Sequence, residues 1–187
     1  MPHNHNHEIF CAGKAGKLIS FLRYITQNPY RILRPYVKEG MTVLDFGSGP
    51  GFFSVPATKL AGSSGKIYAI DVQQGMLDML VKYAAKKGVS GNIVTINNPE
   101  HEIGIELEAD VILAIYVAHE VKDRDKFFKS LLKRLKPTGI ILLAEPKQRV
   151  EEAEWKETVE IAKSTGFEVS GKFRMIKSRT AILKKSL

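Results

Sequence analysis

Cysteine is almost missing: the 187-residue chain has one, Cys11. An internal disulfide is therefore excluded, and a cytoplasmic setting is expected. No apolar run reaches the roughly 18 residues that a membrane-spanning helix needs. The N-terminus carries three histidines and a glutamate before Ile9, so it does not read as a signal peptide. No membrane partner is expected. Internal repeats and low-complexity tracts are also missing. What is present is ordinary for one globular domain with a full core: 44% hydrophobic and 26% charged residues.

Charge is unevenly spread. The net charge is +8, with seven basic residues between Lys122 and Lys136 and six, without any acid, between Lys172 and Lys185. Acids gather at 100–110 and 151–160. Such stripes suit a nucleic-acid face, or simply solvated helix and strand surfaces. Nucleic acid is possible but not the favoured partner, and oligomeric state is not legible.

The richest stretch runs from Val43 to Phe53, Val-Leu-Asp-Phe-Gly-Ser-Gly-Pro-Gly-Phe-Phe. It predicts a short buried strand, a glycine turn with Gly47, Gly49 and Gly51, and a helix from Phe52 to about Ala61. Helix N–H groups facing such a turn suit a polar or anionic ligand group. Asp45, two residues before Gly47, would repel a pyrophosphate and suits a ligand that carries a cation. The next strand, 66–70, ends in Asp71, 20 residues beyond Gly51. An acid at that distance is placed to bind ribose hydroxyls.

Downstream, apolar strands alternate with amphipathic helices, which predicts a parallel sheet covered on both faces. A short helix capped by Asn28-Pro29 runs toward Val37. A helix spans Gln74–Lys87 with Met76, Leu77, Leu80, Val81 and Ala84 inward, and strand 3 spans Asn92–Ile96. Strand 4 spans Asp110–Val117, and a helix capped by Asp123 runs to Leu135. A turn at Pro137–Gly139 leads into strand 5, Ile140–Ala144. A helix over Glu151–Thr165 and an antiparallel pair, 167–176 and 180–183, close the chain.

The motif Val43–Gly51 with Asp71 closing strand 2 resembles the class I S-adenosylmethionine-dependent methyltransferases, of the small single-domain type 11/25-like kind. The resemblance covers about residues 28–185. It implies a three-layer, Rossmann-like α/β fold of seven strands, order 3-2-1-4-5-7-6, with strand 7 antiparallel. Residues 1–27 would form an arm and a cofactor-covering helix, and 28–187 the catalytic domain. The implied cofactor is S-adenosyl-L-methionine. Asp45, Gly47, Ser48, Gly49, Gly51 and Phe52 would surround its methionine end. Asp71 would hold the ribose, with Val72 also on the cofactor and Gln73 and Met76 in the region that flanks adenine. Met76 reads equally as core. Asn97 or Asn98 is placed to bond the adenine amino group, and the same pair before Pro99 is also plain turn chemistry.

Tyr116-Val117-Ala118-His119-Glu120 leaves strand 4 toward the methyl group that such a cofactor carries. His119 is a candidate general base, with Glu120 orienting it or binding substrate, and Tyr116 a wall of the pocket. A His–Glu helix cap and a packed tyrosine are the alternative readings. The turn lacks the Asn/Asp-Pro-Pro-Tyr/Phe pattern of amino-methylating nucleic-acid enzymes. Cys11 is badly placed for a cytosine C5 enzyme, and a lone cysteine argues against arsenite methylation. The expected activity is methyl transfer to a small-molecule acceptor, with an RNA or protein acceptor as the alternative. His3, His5, His7 and Cys11 are zinc-competent residue types, but their spacing matches no known finger, so no metal is assigned.

Overall fold

The computed structural model describes residues 27–98 and 106–186, and every structural statement below concerns these. Strands and helices follow in the order α1 (Pro29–Leu33), β1 (Thr42–Phe46), α2 (Ser54–Ala61), β2 (Lys66–Asp71), α3 (Gln74–Lys86) and β3 (Ile93–Asn97). Then come β4 (Ala109–Ile115), α4 (Arg124–Arg134), β5 (Leu135–Pro146), α5 (Glu152–Ser164), β6 (Phe167–Gly171) and β7 (Ser178–Lys185). One sheet holds all seven strands in the order β3-β2-β1-β4-β5-β7-β6. The ladders from β3 to β5 are parallel. Strand β7 is antiparallel to both its neighbours. This is the fold and strand order that the resemblance implies.

The central strands are apolar on both sides, as a sheet covered twice requires. Successive residues point to opposite faces. Leu44, Phe46, Ile112 and Ala114 join Phe127, Phe128 and Leu131 of α4 in one core. Val43, Val111, Leu113 and Ile115 join Ile32, Leu33 and Ala57 in the other. Phe128 is fully buried, edge-on to Phe127 and Phe167 at centroid distances of 5.3 and 6.2 Å.

Several local expectations are corrected. Val81 is 48% exposed rather than inward; Leu77, Leu80 and Ala84 form the buried stripe, and Val81 lies one step round the helix from it. Helix α2 starts at Ser54 rather than Phe52, because Gly51, Phe52 and Phe53 remain in the turn. Strand β5 begins at Leu135, directly after α4, where a turn was expected. Leu135 pairs with Ala109, residues 136–139 bulge out, and pairing resumes at Val111 and Ile140. Asp110 fills the gap beside the bulge, accepting from the Thr42 amide and from Lys136 Nζ, each at 2.8 Å. The N-terminal arm with its expected cofactor-covering helix, all but Gln27, and most of the acidic stretch lie outside the described residues. Among the described residues no helix is long and apolar enough to cross a membrane.

Truncating Phe128 to alanine removes a ring from a site that cannot collapse freely. Urea denaturation is expected to show a loss of about 3–5 kcal/mol. Val81→Thr, on the exposed side of α3, should stay within about 0.5 kcal/mol.

Candidate active site

The turn after β1 is tied to β2 by its backbone. The amides of Gly47 and Ser48 both donate to the Ile70 carbonyl at 2.9 Å. Gly47 has φ +72°, and a Cβ there would lie 2.8 Å from Val117 Cγ2, so close packing as well as conformation demands glycine. Gly49 has φ +52° and opens onto free space. Asp71, at the end of β2, holds this turn: its Oδ2 accepts from the Gly49 amide at 2.8 Å. Its Oδ1 accepts from the Gln73 amide at 2.9 Å.

Asp45 lies on β1 rather than within the turn, 3% exposed. Its Oδ2 accepts from the Ser54 hydroxyl at 2.5 Å, which ties β1 to the first residue of α2. Ser54 went unread in the sequence, where it is one more small polar residue after the phenylalanines.

A cavity of about 480 Å³ opens beyond the C-terminal ends of β1, β2, β4 and β5, within the usual size range of small-ligand sites. Parallel α/β sheets place their ligands at this edge. Asp45, Gly47, Ser48, Gly49, Phe52, Asp71, Val72, Met76, Asn98, Tyr116, His119 and Glu120 all line it. Met76 is both core and wall, 2% exposed. Two expected residues do not line it. Gly51 packs instead toward Leu80, whose Cγ would stand 2.9 Å from an added Cβ. Asn97 turns its amide to the Asp71 and Val72 carbonyls, at 3.2 and 3.0 Å, and braces the strand ends.

Three buried polar atoms have no hydrogen-bond partner among the described residues: Ser48 Oγ, Asn98 Nδ2 and His119 Nε2. Buried polar atoms are normally satisfied, and all three belong to residues that line this one cavity. A polar ligand seated across the glycine turn would satisfy them. A hydroxyl and an amide near the turn, a carboxylate on each of two strands and open space at Gly49 fit the amino-acid and nucleoside ends of S-adenosylmethionine.

The far wall is built by β4 and β5. Tyr116 has φ +64°, uncommon for a residue with a Cβ. Its amide still donates to the Ala144 carbonyl at 2.8 Å, so the β4–β5 ladder extends one residue before the chain turns away. Its hydroxyl meets Ser178 Oγ at 2.5 Å and accepts from Gln27 Nε2 at 2.7 Å. After this turn the chain returns His119 to the end of β5. There His119 Nδ1 lies 2.6 Å from Glu145 Oε2, and the His119 amide donates to Glu145 Oε1 at 3.2 Å. Glu145 is 1% exposed.

Glu145 is the residue that sequence reasoning missed. Its one signal is position: an acid directly after the apolar run 140–144, at the edge where such sheets bind ligands. Arg149 was missed as well; it lines the cavity near Glu120 and His119. Burial alone pulls the His119 pKa down. The hydrogen bond and charge of Glu145, with Glu120 adding, outweigh burial and raise it above its usual 6.5. Burial raises the Glu120 carboxyl, against the opposing pull of His119 and Arg149. Glu120 Oε1 lies 3.9 Å from His119 Nε2, so it flanks the ring while Glu145 holds it. No cluster that fits a metal ion occurs among the described residues, and His3, His5, His7 and Cys11 lie outside them.

Comparison with known proteins agrees with this fold. Residues 37–184 match a methyltransferase domain family. The chain is similar to the ubiquinone/menaquinone biosynthesis C-methyltransferase UbiE of Haemophilus ducreyi, 32% identical over 110 residues, 58% of this chain and 42% of that protein. UbiE of Idiomarina loihiensis is 29% identical over 129 residues, 68% of this chain and 51% of that protein. The chain thus spans about half the length of the curated relatives it matches. Among solved structures, an S-adenosylmethionine-dependent methyltransferase from Aquifex aeolicus superposes with a TM-score of 0.81 at 28% identity, covering 93% of this chain and 99% of that one. The chain belongs to the class I S-adenosylmethionine-dependent methyltransferase family. S-adenosyl-L-methionine is the cofactor that the family indicates.

Gly49→Ala puts a methyl group into the open space above the turn without meeting protein. Its positive φ should cost about 1 kcal/mol, a fall of about 2–4 °C in thermal midpoint. Calorimetric titration is expected to show S-adenosylmethionine binding weakened by about tenfold or more, far beyond that small stability change.

Proposed function

We propose that this protein transfers a methyl group from S-adenosylmethionine to a small-molecule acceptor that arrives protonated at its reacting atom. The observation that carries the reading is His119: a ring held at Nδ1 by buried Glu145, with Nε2 in the wall of the cavity and without a hydrogen-bond partner among the described residues. In the neutral ring Nδ1–H donates to Glu145, which leaves the Nε2 lone pair for a proton. When bound, S-adenosylmethionine supplies an electrophilic methyl whose sulfur leaves with the bonding pair.

The chain's own residues then divide the work. Asp71 accepts from the ribose hydroxyls while keeping the Gly49 and Gln73 amides, and Asp45 faces the ammonium of the methionine end. Ser48 and Asn98 satisfy their buried atoms on the ligand, Asn98 at the adenine side. Phe52, Val72 and Met76 give apolar walls that exclude water, which holds the reactants in line. His119 Nε2 takes the acceptor's proton as its electron pair forms the new bond to carbon. Glu145 stabilises the imidazolium that results, and Glu120 with Arg149 contacts the acceptor. Tyr116 closes the side of the pocket through its bond to Ser178.

The named activity of the UbiE relatives, C-methylation in quinone biosynthesis, supports a small-molecule acceptor. An RNA or protein acceptor is the less favoured class. Its warrant was the two basic runs, 122–136 and 172–185, and three of the seven cations of the first meet acids of this chain. Arg124 bonds Glu154, Lys129 meets Asp125 and Lys136 meets Asp110.

The base role sets a pH dependence. Activity needs neutral His119, so kcat/KM should rise with pH through a value above 6.5, because the pKa is raised. Glu145→Gln removes the main raising cause, so the acid limb should move to lower pH as kcat falls. His119→Ala should lower kcat by about 10²–10⁴. The assay is formation of S-adenosylhomocysteine over a panel of phenols, hydroquinones and enols. An acid limb that Glu145→Gln leaves in place, or full activity without the imidazole, contradicts the role.

A further inference from the structure

A second cavity, of about 320 Å³, lies between α1 and the segment 172–177 that leads into β7. Its floor is apolar: Ile32, Phe173 and Met175 are each buried, and Tyr36 stands edge-on to Phe173 at 6.3 Å. Its rim carries two exposed cations, Arg31 and Arg174, and among the described residues no acid lines it. Neither guanidinium has an ion-pair partner among the described residues. An apolar trough edged by unpaired arginines complements an amphipathic anion.

The trough adjoins the first cavity. Gln27 lines both, and its Nε2 reaches the Tyr116 hydroxyl on one side and the Ile176 carbonyl on the other, at 2.7 and 3.5 Å. Lys177 lines the first cavity while its neighbour Ile176 lines the second. The boundary between them thus carries a lysine held at φ +59°, and the whole segment 172–185 contains no acid.

We infer that the methyl acceptor is an amphipathic carboxylate. Its reacting head sits by His119, its apolar body lies on Ile32, Phe173 and Met175, and its carboxylate rests between Arg31 and Arg174. A carboxylate is favoured over a phosphate because the adjoining helix end adds little for a further oxygen. Pro29 has no N–H, and the Arg31 amide is already taken by Asn28 Oδ1. Arginine matches a planar carboxylate with two parallel bonds. This assignment rests on the methyl-transfer reading of the first cavity, but its test needs no turnover.

The test is calorimetric titration of the full chain with octanoate, octanol and octyl phosphate, for the native protein and for R31Q/R174Q. Octanoate is expected to bind the native protein about tenfold or more tighter than octanol. The double substitution should weaken octanoate binding by about tenfold or more and leave octanol binding unchanged. Failure of octanoate to bind, equal binding of octanol, tighter binding of octyl phosphate, or octanoate affinity untouched by the substitutions each overturns the inference. Titration of the same samples with S-adenosylmethionine separates the two readings. Lost cofactor binding in the native protein defeats the methyltransferase reading, whereas intact cofactor binding beside failed octanoate binding defeats only this one.

Discussion

The carboxylate of Asp71 holds the amide of Gly49, and through that bond one strand's end shapes the loop after its neighbour. Without it the glycine turn would keep its bonds to the Ile70 carbonyl, at the near side. With it, two parallel strands and a flexible segment become one rigid rim. Asp71 is 8% exposed, and a buried carboxylate needs donors of this kind to remain charged. Gly47 completes the rim by letting Val117 approach where a side chain would collide. The two carboxylates beside the glycine turn are thus also structural: Asp45 fixes the start of α2 through Ser54, and Asp71 fixes the turn. Recognition and architecture use the same atoms.

The opposite wall follows from sheet register. β4 and β5 run parallel with Ile115 beside Ala144, so their next residues emerge together at the ligand edge. Tyr116 keeps one further ladder bond and then turns the chain with a positive φ. That turn is what returns His119 over the end of β5, where Glu145 waits. A buried glutamate alone would be costly; the histidine ring and amide together satisfy it. The pairing orients the ring and leaves one nitrogen for chemistry. It is local in space yet separated by 26 positions in the chain.

Much of this was legible before any coordinates. The alternation of apolar strands with amphipathic helices carries the parallel sheet and the two-sided core, because burial on both faces leaves no other pattern for Ile112–Ile115 or Ile140–Ala144; the strand order came with the family resemblance. The glycine turn and Asp71 marked the cofactor edge for the same reason: few side chains tolerate those backbone angles, and few positions put a carboxylate there. What escaped depended on contacts distant in sequence. Glu145 looks like an ordinary acid until β5 lies beside β4. Asn97 and Asn98 are indistinguishable as neighbours, and strand pleat alone sends one to brace β2 and the other into the cavity. Val81 belongs to an apolar set, but the stripe is narrower than the set. The start of β5 was hidden by Pro137 and Gly139, which sit in a bulge rather than in a free turn.

The account stands or falls on the double use of Asp71. The most direct measurement is a crystal structure of the full chain with S-adenosylhomocysteine. The expected result is a ribose whose hydroxyls lie within hydrogen-bond distance of the Asp71 carboxylate while the Gly49 amide keeps its bond to that same group. An empty cavity, or a nucleoside bound elsewhere with Asp71 engaged only by backbone amides, would contradict it.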